Sequence, residues 1–114
     1  MGIGQDKLKK VVDLIDDKKG SNITILDLRG ISIIADYFLL ATANSTTQTK
    51  AITDHLLDKL VEETGLTVLR KEGLPEAQWV LLDCGDLVIH IMTPDTRNFY
   101  NLEKLWGDAG EVVF

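Results

Sequence analysis

Two strand-like runs, Gln78 to Asp83 and Asp86 to Met92, are separated by only Cys84 and Gly85, and no other feature constrains this chain as much. Runs this close fold back on each other as an antiparallel hairpin. With Cys84-Gly85 as a two-residue turn, Asp83 lies opposite Asp86, Leu81 opposite Val88 and Trp79 opposite His90, while Leu82 faces Leu87 and Val80 faces Ile89. Val80, Leu82, Leu87, Ile89 and Ile91 then form an all-aliphatic face fit to meet helices in a core. The other face carries Trp79, Leu81, Val88, His90 and Met92, with Asp83 and Asp86 at its rim.

The rest of the chain supplies the partners for that hairpin. Leu8, Val11, Val12 and Ile15 recur at helical spacing with Lys and Asp between them, which predicts an amphipathic helix over residues 5–18, stopped at Gly20. Ile23 to Leu28 and Tyr37 to Thr42 read as strands, with a loop from Arg29-Gly30 between them. At Ala43-Asn44-Ser45 the period changes from two to 3.6. Ser45 and Gln48 have capping-box spacing, and Ile52, Leu56 and Leu60 line one face of a helix running to about Glu63, with Gly65 as its cap. Leu66 to Arg70 reads as a short strand. Beyond Pro94, Asp95 or Thr96 can cap a last helical segment in which Phe99, Leu102 and Trp106 share a face before Gly107.

The order of elements predicts one α/β domain over residues 1–114, a mixed five-stranded sheet with helices mainly on one face. A length of 114 residues suits a single core and is too short for two. The other sheet face is expected to stay open, which makes it the place to look for function.

Charge narrows the partners. A net charge of -6 and a pI near 4.7, with 12 scattered Lys and Arg, disfavour direct binding to a phosphate backbone and suit a basic protein partner, although such acidity also serves solubility alone. The lone Cys84 can make no internal disulfide and points to a reducing compartment, the cytoplasm by default. No stretch reaches the roughly 20 apolar residues needed to span a bilayer.

On the expected open face, two aspartates opposed across strands beside an exposed Trp79 call for a cationic partner. The alternative is that the C-terminal segment covers Trp79, with the aspartates merely solvating the turn and His90 a satisfied sheet residue. Catalysis finds little support. His55, His90 and Cys84 show no metal-ligand spacing, and aspartate neighbours would raise the Cys84 thiol rather than activate it. The turn before Ser45 could hold an anion on free backbone N–H groups, but capping explains Ser45 and Gln48 equally. A strand, a serine turn, a helix and later carboxylates is a layout shared with nucleotidyl transfer. Two-metal chemistry, however, needs convergent carboxylates, and only Asp27 could join Asp83 and Asp86.

Several separated motifs resemble one family. Ala35-Asp36-Tyr37-Phe38 leading through Ala41-Thr42-Ala43-Asn44-Ser45 to Gln48 and Ala51-Ile52 is similar to the central signature of the Iojap, or ribosomal silencing factor, family. The same holds for Glu72-Gly73, for Trp79 to Asp86, for Val88-Ile89-His90 and for Arg97 to Trp106, so the similarity spans roughly residues 8–107 in order. The resemblance implies a nucleotidyltransferase-like fold without its catalytic set and no cofactor. It also implies binding to the large ribosomal subunit through its protein number fourteen, obstruction of small-subunit joining, repression of translation under nutrient limitation, and a homodimer. Carried over by position, Trp79, Asp83, Asp86, His90, Arg97, Tyr100, Glu103 and Trp106 are candidates for family function, and Leu81, Val88 and Met92 join the candidate docking face through the hairpin register. Ala43 stands where the family commonly has glycine, and Thr47 where arginine is frequent. A nucleotide-binding or nucleotidyl-transferring enzyme on the same layout is the competing hypothesis.

Overall fold

A computed structural model of the protein describes residues 3–114. Helix α1 (Gln5–Asp17) buries Leu8, Val11 and Ile15 as the spacing predicts, with Leu14 buried in addition and Val12 only half-buried. The chain leaves the helix through Lys19 at φ 67 and returns past Gly20, where an added Cβ would come within 2.3 Å of Ile15 Cγ2. Strands β1 (Ser21–Asp27) and β2 (Tyr37–Thr42) pair antiparallel, with an irregularity between Ser21 and Thr24.

Helix α2 (Thr46–Thr64) begins as its capping spacing predicts. Ser45 Oγ accepts from the Gln48 N–H at 3.0 Å, and Gly65 at φ 74 ends the helix, its N–H donating to the Val61 carbonyl. The Gln48 amide reaches further than a capping box requires. It accepts from the Asn44 N–H and donates to the carbonyls of Lys18 and Lys19, tying the start of α2 to the end of α1.

The remaining strands are β3 (Arg70–Glu72), β4 (Trp79–Asp83), β5 (Leu87–Met92) and β6 (Gly110–Glu111), with α3 (Pro94–Tyr100) and α4 (Leu102–Leu105) between the last two. The sheet is therefore six-stranded, not five-stranded, in the order β3-β4-β5-β2-β1-β6, parallel only between β2 and β5. The sixth strand is two residues paired to Leu26 and Asp27 of β1. The third starts where a strand over Leu66 to Arg70 was expected to end, because Leu66 and Val68 pack on the core in an extended segment that joins the sheet only at Leu69, whose N–H donates to the Asp83 carbonyl.

The hairpin register differs from expectation by two residues. Asp83 faces Val88, Leu81 faces His90 and Trp79 faces Met92, while Leu82 faces Ile89 and Val80 faces Ile91. Gly85 and Asp86 form the turn, closed by the Cys84 N–H donating to the Leu87 carbonyl at 2.8 Å, and Gly85 takes φ 87 as the first central residue. A shift of two leaves every side chain on its expected face. It does separate the aspartates: Asp83 and Asp86 do not oppose each other.

Both faces of the sheet are covered. Helices α1 and α2 close the aliphatic face over Leu39, Val80, Leu82, Leu87, Ile89 and Ile91. On the other side Leu26, Phe38, Leu40, Val88 and Met92 make a second apolar cluster under Leu102, Trp106 and Ala109. The expected open face is a second, smaller core. Its cover is not the single helical stripe predicted, because Asn101, at φ 46, ends α3 and restarts the chain as α4. Leu102 and Trp106 turn inward and Phe99 is left 81% exposed.

Candidate functional site

The covered face redraws the candidate site. Val88, His90 and Met92, expected on an open surface, are buried, with His90 only 3% exposed. No partner can touch them in this conformation. Trp79 and Leu81 are half-buried at the margin of the cover, and Tyr100 is exposed.

What remains outside is an aromatic shelf at the rim where β4 begins and α3 ends. The Trp79 and Tyr100 rings lie 4.7 Å apart, and Phe99 meets Tyr100 edge-on at 5.0 Å and 85°. Helix α3 places both rings there because its last turn points away from the core before the left-handed Asn101. Tyr100 was among the residues suggested by sequence. Phe99 was not, although its spacing places it on one helical face with Leu102 and Trp106. A large apolar side chain 81% exposed beside two partly exposed aromatics is the composition of an interface centre.

Beneath the shelf, the Trp79 Nε1–H donates to His90 Nδ1 at 3.0 Å. Indole can only donate, so Nδ1 is the acceptor and the imidazole proton sits on Nε2, which has no hydrogen-bond partner. Phe38 packs against the same ring at 4.7 Å. Burial pushes the His90 imidazole down to about 4, so the ring is neutral at physiological pH.

Arg97 is also buried, at 8% exposure, and its side chain is fully engaged. Nε and Nη2 fork onto the Glu103 carboxylate at 3.2 and 3.1 Å, Nη2 also donates to Thr24 Oγ1, and Nη1 donates to Thr42 Oγ1 and the Asn22 carbonyl. These contacts fasten α3 and α4 to β1 and β2. Arg97 and Glu103 form part of the wall of a cleft of about 610 Å³ that Asn44, Asn98 and Asn101 also line. With every guanidinium donor used and its charge matched by Glu103, the cleft offers a ligand no free cation.

Asp83 and Asp86 lie at the far end of the hairpin. Asp83 Oδ1 accepts from the Gly85 N–H at 2.8 Å and its carboxylate lies 3.8 Å from Arg70, while Asp86 is exposed. A second exposed apolar group, Ile31, Ile33 and Ile34, sits in the β1–β2 loop at the same end, a surface that the sequence reading did not anticipate. The Cys84 thiol is pushed up to about 11 by burial and by Asp83, which leaves it unreactive. The serine turn before α2 is at the opposite end from the aspartates, because Thr42 pairs with Met92 and Tyr37 with Leu87. Five residues of strand, roughly 16 Å, separate the ends of that ladder. Among the described residues no three His, Cys, Asp or Glu side chains gather as a metal-binding group, and no helix is long and apolar enough to cross a membrane.

The chain is thus a small α/β protein with a mixed sheet, two covered faces and an exposed aromatic rim, and its cleft has its charges already paired. The model of the family described as "Ribosomal silencing factor during starvation" matches residues 4–113, and the chain belongs to that family. The "Ribosomal silencing factor RsfS" of Halalkalibacterium halodurans is 47% identical over 108 residues, covering 95% of this chain and 92% of the relative. A crystal structure of a Bacillus halodurans protein superposes with a TM-score of 0.82 at 40% identity, covering 97% of this chain and all of that one. A more distant relative, "Mitochondrial assembly of ribosomal large subunit protein 1" of Mus musculus, is 30% identical over 98 residues, which are 84% of this chain and 43% of the mouse protein. The family is named for a regulatory role rather than a catalytic one.

Proposed function

We propose that the protein docks on the large ribosomal subunit, at its protein number fourteen, and represses translation under nutrient limitation by obstructing small-subunit joining. The family's name and the mouse relative's name support the ribosomal setting. The observation that carries the docking role is the shelf of Trp79, Tyr100 and Phe99, three aromatics in mutual contact at the rim, of which Phe99 and Tyr100 are exposed and Trp79 is half-buried. Leu81 borders the shelf. Arg97 and Glu103 act by holding α3 in place beneath it, and Asp83 and Asp86 form a separate acidic tip available to a basic patch. A cytoplasmic location and a homodimer accompany this reading, as does a nucleotidyltransferase-like fold that has lost its chemistry. The nucleotide-binding alternative gains nothing from the separation of the serine turn and the aspartates.

Co-sedimentation with purified large subunits tests the proposal. The wild-type protein is expected in the subunit fraction. Tyr100→Ala combined with Phe99→Ser, which removes exposed side chains only, should leave a cooperative melt and release the protein to the supernatant. Undiminished binding by the folded double variant would remove the shelf from the interface. Absence of wild-type binding would overturn the ribosomal reading itself.

A further inference from the structure

His90 is an expensive residue for its position. It occupies the middle of β5 on the second core face, with Leu40 and Leu81 as its strand partners and Phe38 against its ring. None of these neighbours is charged or titratable. Its Nε2–H is buried without an acceptor, a loss that an aliphatic side chain of similar volume would avoid. In return the chain has a fixed acceptor, Nδ1, aimed at the rim. The one group that uses it is the Trp79 indole, whose ring is half-buried and also packs against Tyr100.

We propose that His90 is a positioning residue for the docking shelf: as the neutral Nε2–H tautomer it accepts the Trp79 indole N–H and thereby fixes the ring against which Tyr100 packs, with Phe99 in turn on Tyr100. This deepens the docking role proposed for the shelf and depends on it. An indole without that acceptor is free to turn toward water at the rim; Tyr100, which packs on it, and Phe99, which packs on Tyr100, then lose their common orientation. The partner then meets a mobile surface and must order it on binding, at a cost in affinity.

The test uses the full chain with His90→Leu, which keeps an apolar side chain in the core but removes the acceptor, and His90→Asn, whose amide oxygen falls near the position of Nδ1. Three quantities are followed: the melting temperature, the hydrogen-exchange rate of the Trp79 indole N–H by NMR, and affinity for purified large subunits. His90→Leu is expected to melt at or above the wild-type temperature while its indole exchanges about ten times faster or more, and its affinity falls about threefold to tenfold, the worth of one neutral hydrogen bond. His90→Asn should restore slow exchange and affinity. A lowered melting temperature with unchanged indole exchange would assign His90 to packing alone and overturn the proposal, as would identical behaviour of the two variants. Faster exchange with undiminished affinity would uphold the positioning and refute the docking role of the shelf. The wild-type protein supplies a check that needs no variant: nitrogen-15 NMR should show Nδ1 unprotonated and Nε2 protonated, and the reverse tautomer would end the argument.

Discussion

Acidification should weaken this fold through one residue, His90. In the unfolded chain its imidazole titrates near 6.5, and in the folded protein burial alone holds it down to about 4. Between those values the unfolded state binds a proton that the folded state refuses, so stability is intact above pH 6.5 and is lost as the pH falls toward 4. Each tenfold difference in proton affinity is worth about 1.4 kcal/mol, so the loss accumulated by pH 4 is on the order of 3 kcal/mol. That is a large part of the stability of a domain this size. Carboxylates also titrate near the lower end of the range, so the informative quantity is the difference between the wild-type protein and His90→Leu, measured as urea midpoints at pH 7, 6, 5 and 4. The variant should lack the His90 contribution, and the gap should grow in its favour by on the order of 3 kcal/mol across the series. Parallel losses in the two proteins would refute the reasoning and place the acid sensitivity elsewhere.

Other perturbations test the frame around the shelf. Gly73 sits at φ 83, and an added Cβ would come within 1.9 Å of the Trp79 carbonyl oxygen, so Gly73→Ala should cost about 2 kcal/mol or more in a denaturant melt. Ser45→Ala removes the acceptor for the Gln48 N–H and should cost about 1 kcal/mol, read as a lowered melting temperature. Glu103→Gln leaves the buried Arg97 guanidinium without its counter-charge; because the Glu103 side chain is 39% exposed, the expected loss is about 2 kcal/mol, less than for a fully buried pair. Asp83→Asn with Asp86→Asn should melt cooperatively and show a shallower fall of subunit binding with added salt, and an unchanged salt dependence would take the hairpin tip out of the interface.

Much of this architecture is legible in the chain because its strongest signals are local. Ser45 and Gln48 announce the start of α2 by spacing, and the alternation from Trp79 to Met92 sorts the two sheet faces correctly even with the turn misplaced. The turn was misplaced because Cys84-Gly85 and Gly85-Asp86 are both compatible with a two-residue loop, and only the closing bond from Cys84 to Leu87 decides between them. The cover on the second face is hard to read for a different reason. Helix α4 has four residues and β6 has two, too few to show a period, and their burial depends on contacts with Phe38 and Val88 far back in the chain. Arg97 belongs to the same class: its acceptors at Asn22 and Thr42 lie 75 and 55 residues away, and no local pattern marks them. The shelf has no local signature either, because the break at Asn101 takes Leu102 and Trp106 off the face they would share with Phe99 and leaves Phe99 exposed.

The two faces of the sheet also close at different moments in the life of the chain. All the buried residues of the face under α1 and α2 have been synthesised by Met92, with only the partly buried Val112 to come, whereas the cover of the other face, Leu102, Trp106 and Ala109, follows later in full. During translation, then, a nascent chain can bury its aliphatic face while Phe38, Leu40, Val88 and Met92 still lie open, since domains begin to fold from the N-terminal side as they emerge. For that interval the unfinished protein carries a sticky apolar surface that the finished one covers.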